Sequence, residues 1–237
     1  MNFCTRRPWL ARCLGAVFAL TVMAVAMPRD ALAQPPNLGD LKIDLLAYQR
    51  YGGYERDLAA VASEAQAYLD AHAADVAQAA MVLDVDETSL SNWIEIEADD
   101  FGFIPGGDCS HLPDGPCGAL AWDKLGQATA IAPILALYND AKARHVAVFF
   151  ITGRHEVERA ATEKTLRLAG YGDWNALIME PDGLKPVSAA DFKAPERAKI
   201  EAHGYHIVVN VGDQPSDLAG GHAGRAFLLP NPFYRIP

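Results

Sequence analysis

The stretch that decides the fold is Met81-Val82-Leu83-Asp84-Val85-Asp86-Glu87-Thr88-Ser89-Leu90-Ser91-Asn92. Its apolar first half, broken by Asp84 and Asp86, predicts a short buried strand that ends at Asp86. Alternate residues of a strand face the same way, and burying two like charges together is costly unless a cation or a reaction requires them. The alternative is a strand followed by an acidic loop, with Thr88 as the N-cap of a helix. Other parts of the chain decide between the two.

Apolar runs and amphipathic segments alternate along the rest of the chain. The runs predict strands over 146–151, 176–179, 207–211 and 225–229. The segments predict helices over 38–78, with a turn at Gly52-Gly53, and over 128–143, 155–169 and 194–203. Strands that alternate with helices indicate an α/β fold, in which a parallel sheet is flanked by helices.

One connection, residues 93–125, lacks helical periodicity and collects glycine, proline, aromatic residues and two cysteines. A connection of this length is uncommon unless it has a function. We interpret it, with boundaries near 90–125, as a small irregular cap because it leaves the carboxyl end of a strand. A merely structural insertion is the alternative. Its larger aromatic residues either stack on a substrate base or fill the core of the cap: Trp93, Phe101, Phe103 and Trp122.

The N-terminal segment 1–33 has the layout of a secretory signal peptide. Arg6, Arg7 and Arg12 precede an apolar run over 14–26, and Ala31-Leu32-Ala33 offers a cleavage site. The run of about thirteen residues is too short for an ordinary membrane span, although an uncleaved anchor is the alternative. We therefore expect residues 34–237 to be exported to the periplasm or the medium, without a membrane attachment.

Charge and cysteine content fit an exported protein. The segment 1–33 carries four arginines and one aspartate, so its removal changes the formal charge from −10 to −13. A surface this acidic repels nucleic-acid polymers and anionic membranes. Only Cys109 and Cys117 then remain, and in an oxidising compartment they predict a disulfide. A zinc site is the alternative, but His111 alone adds too few ligands for it.

Polar residues follow three of the predicted strands. Asp84 and Asp86 end the first, Thr152 follows the second, and Asp213 follows Gly212 at the end of a third. Ligands of open α/β sheets bind at the carboxyl ends of the strands. Residues far apart in sequence are therefore expected to meet in one crevice.

Four motifs in this order resemble those of the haloacid dehalogenase (HAD) superfamily. They are D-x-D-x-T at 84–88, T-G-R at 152–154, Lys193 before a helix, and G-D-x-x-x-D at 212–217. The segments 84–92, 212–218 and 229–234 more closely resemble subfamily IIIB, which holds class B-like and class C bacterial acid phosphatases and plant acid phosphatases. The resemblance extends from about residue 45 to the C-terminus.

The resemblance implies a Rossmann-like core, Mg²⁺, and hydrolysis of small phosphomonoesters through an aspartyl-phosphate. It makes Asp84 the nucleophile and Asp86 the general acid and base. The other implied roles are phosphate binding by Thr152, Gly153 and Lys193, and metal binding by Asp84, Asp213 and Asp86, the last through its main-chain carbonyl. Asp217 either binds the metal as well or supports a residue that does. These residue types suit the chemistry, because phosphoryl transfer depends on positioning and on neutralising charge, and Mg²⁺ prefers oxygen ligands.

Two other functions fit the same resemblance. A HAD phosphotransferase usually serves intracellular metabolites, which a signal peptide disfavours. Some plant relatives are storage proteins without the nucleophile, whereas Asp84 is present here. Where many relatives carry an aromatic run after Asn92, this chain has Trp93-Ile94-Glu95-Ile96, so its substrate, nucleotide-like or broad, is open. Arg154 and Arg197 are expected to form structural ion pairs, and a homo-oligomer is compatible with the sequence.

Overall fold

A five-stranded parallel sheet forms the centre of the computed structural model, which describes residues 35–184 and 186–237. The strands of the protein are β1 (Ala79–Leu83), β2 (Leu90–Ser91), β3 (Thr129–Ala130), β4 (Ala147–His155), β5 (Ala176–Glu180), β6 (His206–Gly212) and β7 (Arg225–Leu228). The sheet has the order β5-β4-β1-β6-β7, and β2 pairs with β3 in a separate antiparallel ladder. The predicted signal peptide, 1–33, lies outside the described residues.

Helices cover both faces of the sheet. They are α1 (Leu38–Arg50), α2 (Gly53–His72), α3 (Trp93–Ala98), α4 (Ala119–Leu125), α5 (Ala132–Ala143), α6 (Arg159–Leu168), α7 (Ala189–Ala202) and α8 (Pro215–Leu218). The predicted α/β fold is confirmed. None of the helices within 35–184 and 186–237 is both long and apolar enough to cross a membrane.

The central strand β1 explains why both faces of the sheet are covered. Met81 and Leu83 point into a core formed with α2 and α5, whereas Ala80 and Val82 point into a second core that includes Phe192 of α7. Consecutive strand residues face opposite sides, so an unbroken apolar run needs a layer on each side. Because both faces of β1 are covered, its polar residues, Asp84 and Asp86, follow at the carboxyl end of the strand.

The strand β1 ends at Leu83, three residues before the predicted end at Asp86. Its ladder with β4 stops at the pair Leu83–Phe150, and beyond it the N–H groups of Ser89 and Leu90 both donate to Val85 O, at 2.9 and 2.8 Å. These bonds wrap the chain into a turn. The carboxylates therefore leave the strand, and their directions are set by the turn and not by strand alternation.

The helix α7 begins at Ala189, five residues before the predicted start at 194. Ser188 Oγ accepts a hydrogen bond from Ala190 N–H, and the Asp191 carboxylate accepts one from Ser188 N–H. This capping box fixes the first turn. Pro195, the second residue of the predicted helix, lies inside the observed one. Lys193 consequently lies within a helix, and the prediction that it precedes one is wrong.

The insertion after β1 is more regular than predicted. It contains α3 and α4, while the ladder of β2 with β3 closes its base and the helix predicted from 128 begins only at Ala132. The predicted disulfide between Cys109 and Cys117 is confirmed. Cys117 N–H also donates to the Asp99 carboxylate at 2.7 Å, which ties the disulfide loop to the end of α3.

Candidate active site

A cavity of about 830 Å³ opens at the carboxyl ends of β1, β4, β5 and β6. Its floor includes Asp84, Asp86, Gly153 and Asp213, and the start of α7 contributes Lys193. The opposite walls come from α3, α4, the segment 101–105 and the C-terminal segment 233–237. The structure thus brings together the strand ends that the sequence predicts to converge.

Lys193 links two of the buried carboxylates. Its Nζ lies 2.5 Å from Asp84 Oδ1 and 2.6 Å from Asp217 Oδ1. Burial alone lowers the pKa of Lys193, but the charges of Asp84 and Asp217 outweigh it and the pKa is raised. Burial raises the pKa of Asp84 well above its usual range, and Lys193 opposes that rise. A charged ammonium therefore offsets part of a local excess of negative charge.

Asp213 is held by three donors from separate parts of the chain. Its Oδ1 accepts from Thr88 Oγ1 at 3.0 Å, and its Oδ2 accepts from Gln214 Nε2 at 2.7 Å and Asn231 Nδ2 at 2.8 Å. Burial, followed by the charge of Asp217, raises the pKa of Asp213. Thr88 thus orients a carboxylate of the site, and the interpretation of Thr88 as a helix N-cap is wrong.

Three carboxylates come close enough to share one cation. Asp84, Asp213 and Asp217 each offer an oxygen, and these oxygens lie within 4.8 Å of one another. Such a set of hard oxygen donors fits Mg²⁺. The side chain of Asp86 is not in this group because it faces Arg154, so any contact of Asp86 with a metal would use its main-chain carbonyl.

Arg154 holds the side chain of Asp86. Arg154 Nη2 lies 2.6 Å from Asp86 Oδ1 and Nε lies 3.0 Å from Oδ2, while Asn92 Nδ2 donates to Oδ1 at 2.8 Å. Burial alone raises the pKa of Asp86, but the charge and hydrogen bonds of Arg154 outweigh it and the pKa is lowered. Arg154 Nη1 also pairs with Asp123 of α4 at 2.8 Å. The predicted ion pair therefore joins β4, the turn after β1 and the insertion.

Thr152 and Gly153 occupy the end of β4 in different ways. Thr152 is fully buried, and its Oγ1 accepts from Arg154 N–H at 3.1 Å. Within the described residues the Thr152 hydroxyl does not donate its own proton to another group, and its side chain is not part of the cavity lining. Gly153 is exposed and lines the cavity. A phosphate in the cavity therefore has direct access to Gly153, whereas the neighbouring side chain of Thr152 is buried below the cavity surface.

Arg197 fixes the backbone of Asp217. Its buried guanidinium donates from Nη1 to Asp217 O at 2.6 Å, from Nε to Gly221 O at 2.9 Å, and from Nη2 to Ala219 O. Asn210 Nδ2 donates to Asp217 O as well, at 3.1 Å. The last carbonyls of a helix lack partners within the helix. Arg197 and Asn210 donate to such carbonyls at the end of α8. Arg197 therefore binds carbonyls, and within 35–184 and 186–237 it does not form the expected ion pair.

A buried group around Glu87 was missed at the sequence level. Glu87 Oε1 accepts from Asn92 N–H at 2.7 Å, and Oε2 accepts from Tyr234 Oη at 2.7 Å. Burial, followed by the charge of Asp86, raises the pKa of Glu87 to about 8. Asn92 Oδ1 in turn accepts from Trp122 Nε1 at 2.8 Å. Glu87, Asn92 and Tyr234 lie in the segments 84–92 and 229–234, on which the resemblance to the family rests, and Trp122 lies outside them. The resemblance was therefore a signal that could have identified these three residues.

The aromatic residues of the insertion divide into two groups. Trp122 is buried and Trp93 packs against Phe101 and Phe233, with ring centroids 6.1 and 5.2 Å apart. Phe101 and Phe103 line the cavity, and Phe103 is 80% exposed. The tryptophans therefore fill the core, and the two phenylalanines face the space where a ligand would bind.

Comparison with known proteins gives relatives across most of the chain. The family described as HAD superfamily, subfamily IIIB (Acid phosphatase) matches residues 39–237. Acid phosphatase 1 of Solanum lycopersicum is 33% identical over 186 residues, which cover 78% of this chain and 70% of that protein. The stem 28 kDa glycoprotein of Glycine max is 40% identical over 118 residues, and this match spans about half of either chain, 48% here and 46% there.

A solved structure shares the fold. The class C acid phosphatase from Bacillus anthracis superposes with a TM-score of 0.64 and 21% sequence identity, covering 84% of this chain and 86% of that one. At this identity the likeness concerns the fold alone. The family match, which extends over most of the chain, shows the relationship itself. The protein belongs to subfamily IIIB of the HAD superfamily, the family of acid phosphatases.

Proposed function

We propose that this protein is an exported, Mg²⁺-dependent acid phosphatase that hydrolyses phosphomonoesters through an aspartyl-phosphate. The observation that carries the proposal is the meeting of Asp84, Asp213 and Asp217 around Lys193 at the end of a parallel sheet. Desolvated carboxylates held this close together need a cation or a reaction to justify their burial. Family membership supplies the reaction class.

Asp84 is the nucleophile in this proposal. It lies at the cavity floor directly after β1, where its N–H donates to Val211 O at 3.0 Å and Ser89 Oγ donates to its main-chain carbonyl at 2.6 Å. These bonds fix the backbone that aims the carboxylate. Attack by a carboxylate oxygen on phosphorus gives a covalent intermediate, which divides the reaction into two easier steps.

Asp86 is the general acid and base. It protonates the leaving oxygen in the first step and activates water in the second. In the structure Arg154 and Asn92 hold its carboxylate beside the cavity, so proton transfer requires the side chain to turn from these partners toward the substrate. Because Arg154 also pairs with Asp123, it stays anchored when Asp86 leaves.

Phosphate binding and metal binding complete the site. In this proposal Lys193 Nζ and Gly153 N–H, which line the cavity, donate to phosphoryl oxygens. The hydroxyl of Thr152 is buried beneath the lining and would have to become accessible to do the same. Asp84, Asp213 and Asp217, with the carbonyl of Asp86, would hold Mg²⁺. When bound, the cation neutralises charge on the transferring phosphoryl group. The donors of this chain then orient that group for in-line attack.

Residues 90–125 act as the cap in this proposal, on the body formed by the rest of 34–237. The α3 and α4 residues Glu95 and Asp123, together with Phe101 and Phe103, face the strand ends across the cavity. This placement excludes bulk water from one side of the substrate. Aromatic side chains in the wall favour aryl or nucleoside leaving groups, since both offer a face for stacking.

A phosphate-release assay tests the proposal. Purified protein lacking residues 1–33 is treated with a chelator and assayed on 4-nitrophenyl phosphate, a nucleotide and a sugar phosphate. Activity should disappear after chelation, because the carboxylates then repel the phosphate dianion, and Mg²⁺ should restore it. Full activity after exhaustive chelation contradicts the metal requirement. Absence of release from every ester with Mg²⁺ present supports the storage-type alternative.

A further inference from the structure

One carboxylate of the cavity has no partner. Glu95 lies on α3 and lines the cavity, and it forms neither a hydrogen bond nor an ion pair through its side chain with any other residue in the described ranges. Three other carboxylates of the cavity wall have close partners. Glu87 accepts from Tyr234 Oη, Asp123 pairs with Arg154, and Glu158 accepts from His155 N–H. Glu180 lies 3.8 Å from His155 Nδ1.

The cations of the cavity do not neutralise Glu95. Arg154 favours its charged form, but the Arg154 guanidinium already pairs with Asp86 and Asp123. Lys193 lies between Asp84 and Asp217. Arg235 also lines the cavity and lies beyond ion-pair distance from Glu95. Burial raises the pKa of Glu95 to about 7, so an unbalanced negative charge remains on the α3 wall above that pH.

Glu95 lies on the side of the cavity that holds Asp86, the acid that serves the leaving oxygen in the proposed function. Asn92 directly precedes α3, and its Nδ2 donates to Asp86 Oδ1 at 2.8 Å, so the first turn of α3 is tied to Asp86. In the proposed function the transferring phosphate lies beside Lys193, which pairs with Asp84 and Asp217. A substrate that spans the two places its alcohol portion beside α3.

Aromatic rings surround the same space. Phe101 and Phe103 follow α3 and line the cavity, and Phe233 of the C-terminal segment stacks near Phe101 with ring centroids 6.2 Å apart. Aromatic faces attract organic cations, and a nearby carboxylate strengthens the attraction. A second phosphate or a carboxylate on the alcohol portion would instead be repelled by Glu95.

We propose that Glu95 makes the enzyme prefer phosphomonoesters whose leaving group carries a positive charge, such as the phosphates of amino alcohols and of quaternary ammonium alcohols. The inference rests on the proposed function and specifies its substrate class. Glu95 acts here as a specificity-determining residue. It takes no part in the chemical step.

A matched pair of esters tests the inference. Phosphocholine and 3,3-dimethylbutyl phosphate have the same shape and differ in the charge of the leaving group. The ratio of their kcat/KM values is measured in the wild type and in Glu95→Gln at a pH above the raised pKa of Glu95, where its carboxylate is charged. Differences in intrinsic reactivity cancel between the two proteins, so the ratio should fall roughly fivefold in the variant, as expected for one ion pair with some desolvation. The loss should appear in KM for phosphocholine.

Glu97→Gln is the matched control. Glu97 lies on the same helix, pairs with Arg50 outside the cavity and carries the same charge, so the ratio should keep its wild-type value. An unchanged ratio in Glu95→Gln, or an equal fall in Glu97→Gln, overturns the inference. If the proteins still hydrolyse 4-nitrophenyl phosphate, the proposed function remains intact. Failure of all three proteins to release phosphate from any ester overturns the proposed function, and the inference with it.

Discussion

Asp84 and Asp86 are two residues apart in sequence, yet their carboxylates have different partners. Asp84 Oδ1 meets Lys193 at 2.5 Å, and Asp86 Oδ1 meets Arg154 at 2.6 Å. The turn after β1 separates them, with Val85 O as the acceptor that closes it. The structure therefore gives the two carboxylates distinct surroundings, which is what distinct chemical roles require.

Replacing Asp86 by asparagine should slow the hydrolysis of esters with basic leaving groups more than that of esters with weakly basic ones. A nitrophenolate hardly needs a proton and an alkoxide needs one badly. Asp86→Asn should therefore lose on the order of 10² to 10⁴ in kcat/KM on an alkyl phosphate, and far less in the first turnover of an aryl phosphate. Stopped-flow kinetics should show a burst of nitrophenolate, because the second step stalls.

The control for that measurement is Asp100→Asn. Asp100 is an exposed carboxylate paired with Lys42 outside the cavity, so both substrates should keep wild-type rates. Equal losses on alkyl and aryl esters in Asp86→Asn, without a burst, would contradict the role of Asp86 as general acid and base.

Arg197 acts at a distance from any ligand, through the backbone of Asp217. Arg197→Lys keeps the charge but loses the planar fork that reaches three carbonyls. Since residues that orient metal ligands commonly change metal affinity by about 10-fold to 100-fold, the Kd for Mg²⁺ should rise by about 10-fold. Calorimetric titration of Mg²⁺ measures this Kd without turnover.

The control is Arg225→Lys, at the exposed start of β7, which should bind Mg²⁺ as the wild type does. Unchanged affinity in Arg197→Lys would contradict the positioning role.

At the scale of elements, the insertion between β1 and α5 shapes the site. Its helices α3 and α4 place Glu95 and Asp123 on the cavity wall, and the disulfide of Cys109 with Cys117 closes the loop between them. Asp99, at the end of α3, accepts from Cys117 N–H. The loop between α3 and α4 is therefore held by contacts within the insertion, whereas Arg154 and Phe233 connect the insertion to the rest of the protein.

Reduction of the disulfide should loosen the insertion before it unfolds the sheet. Closing so short a loop stabilises by roughly 2 to 3 kcal/mol on the chain-entropy model. In hydrogen-exchange experiments, reduction should raise exchange over 99–118 and leave β1 and β4 protected. Equal loss of protection in the sheet would contradict this, and two free thiols in the exported protein would contradict the bond itself.

The elements differ in how well sequence predicts them. The strands β1, β4 and β6 were predicted because an apolar run buried on both faces has few alternatives. The helices α3 and α4 were missed because each is too short for a periodic pattern. The start of α7 was misplaced because the capping box of Ser188 and Asp191, which sets it, was not recognised in the sequence.

The residues of the site also differ in how well the sequence predicts them. The acidic and basic residues of the four motifs were found because each follows a strand end or matches a spaced motif, and the structure brings Asp84, Asp213, Asp217 and Lys193 together. The partners of these residues were missed. Arg154 with Asp123, and Glu87 with Tyr234, depend on how the insertion and the C-terminal segment pack on the sheet. No local pattern records that packing.

At the scale of the whole molecule, a bound cation would tie distant segments together. Its ligands come from the turn after β1, from the residue that follows β6, and from α8. Binding only to the folded state, Mg²⁺ should raise the melting temperature with concentration, corresponding to about 2.7 kcal/mol at one hundred times Kd. Differential scanning calorimetry measures the shift. Asp213→Asn should reduce it, and a wild-type melting temperature independent of Mg²⁺ would contradict the site.

The central claim is that Asp84 becomes phosphorylated during turnover. The most direct measurement is an acid quench of Asp86→Asn within the first turnover of 4-nitrophenyl phosphate, followed by peptide mass spectrometry. The account predicts one added phosphate on Asp84, and none in Asp84→Asn, because an amide is a poor nucleophile. A variant lacking the Asp84 carboxylate that still turns over, or a phosphate trapped on another residue, would contradict it.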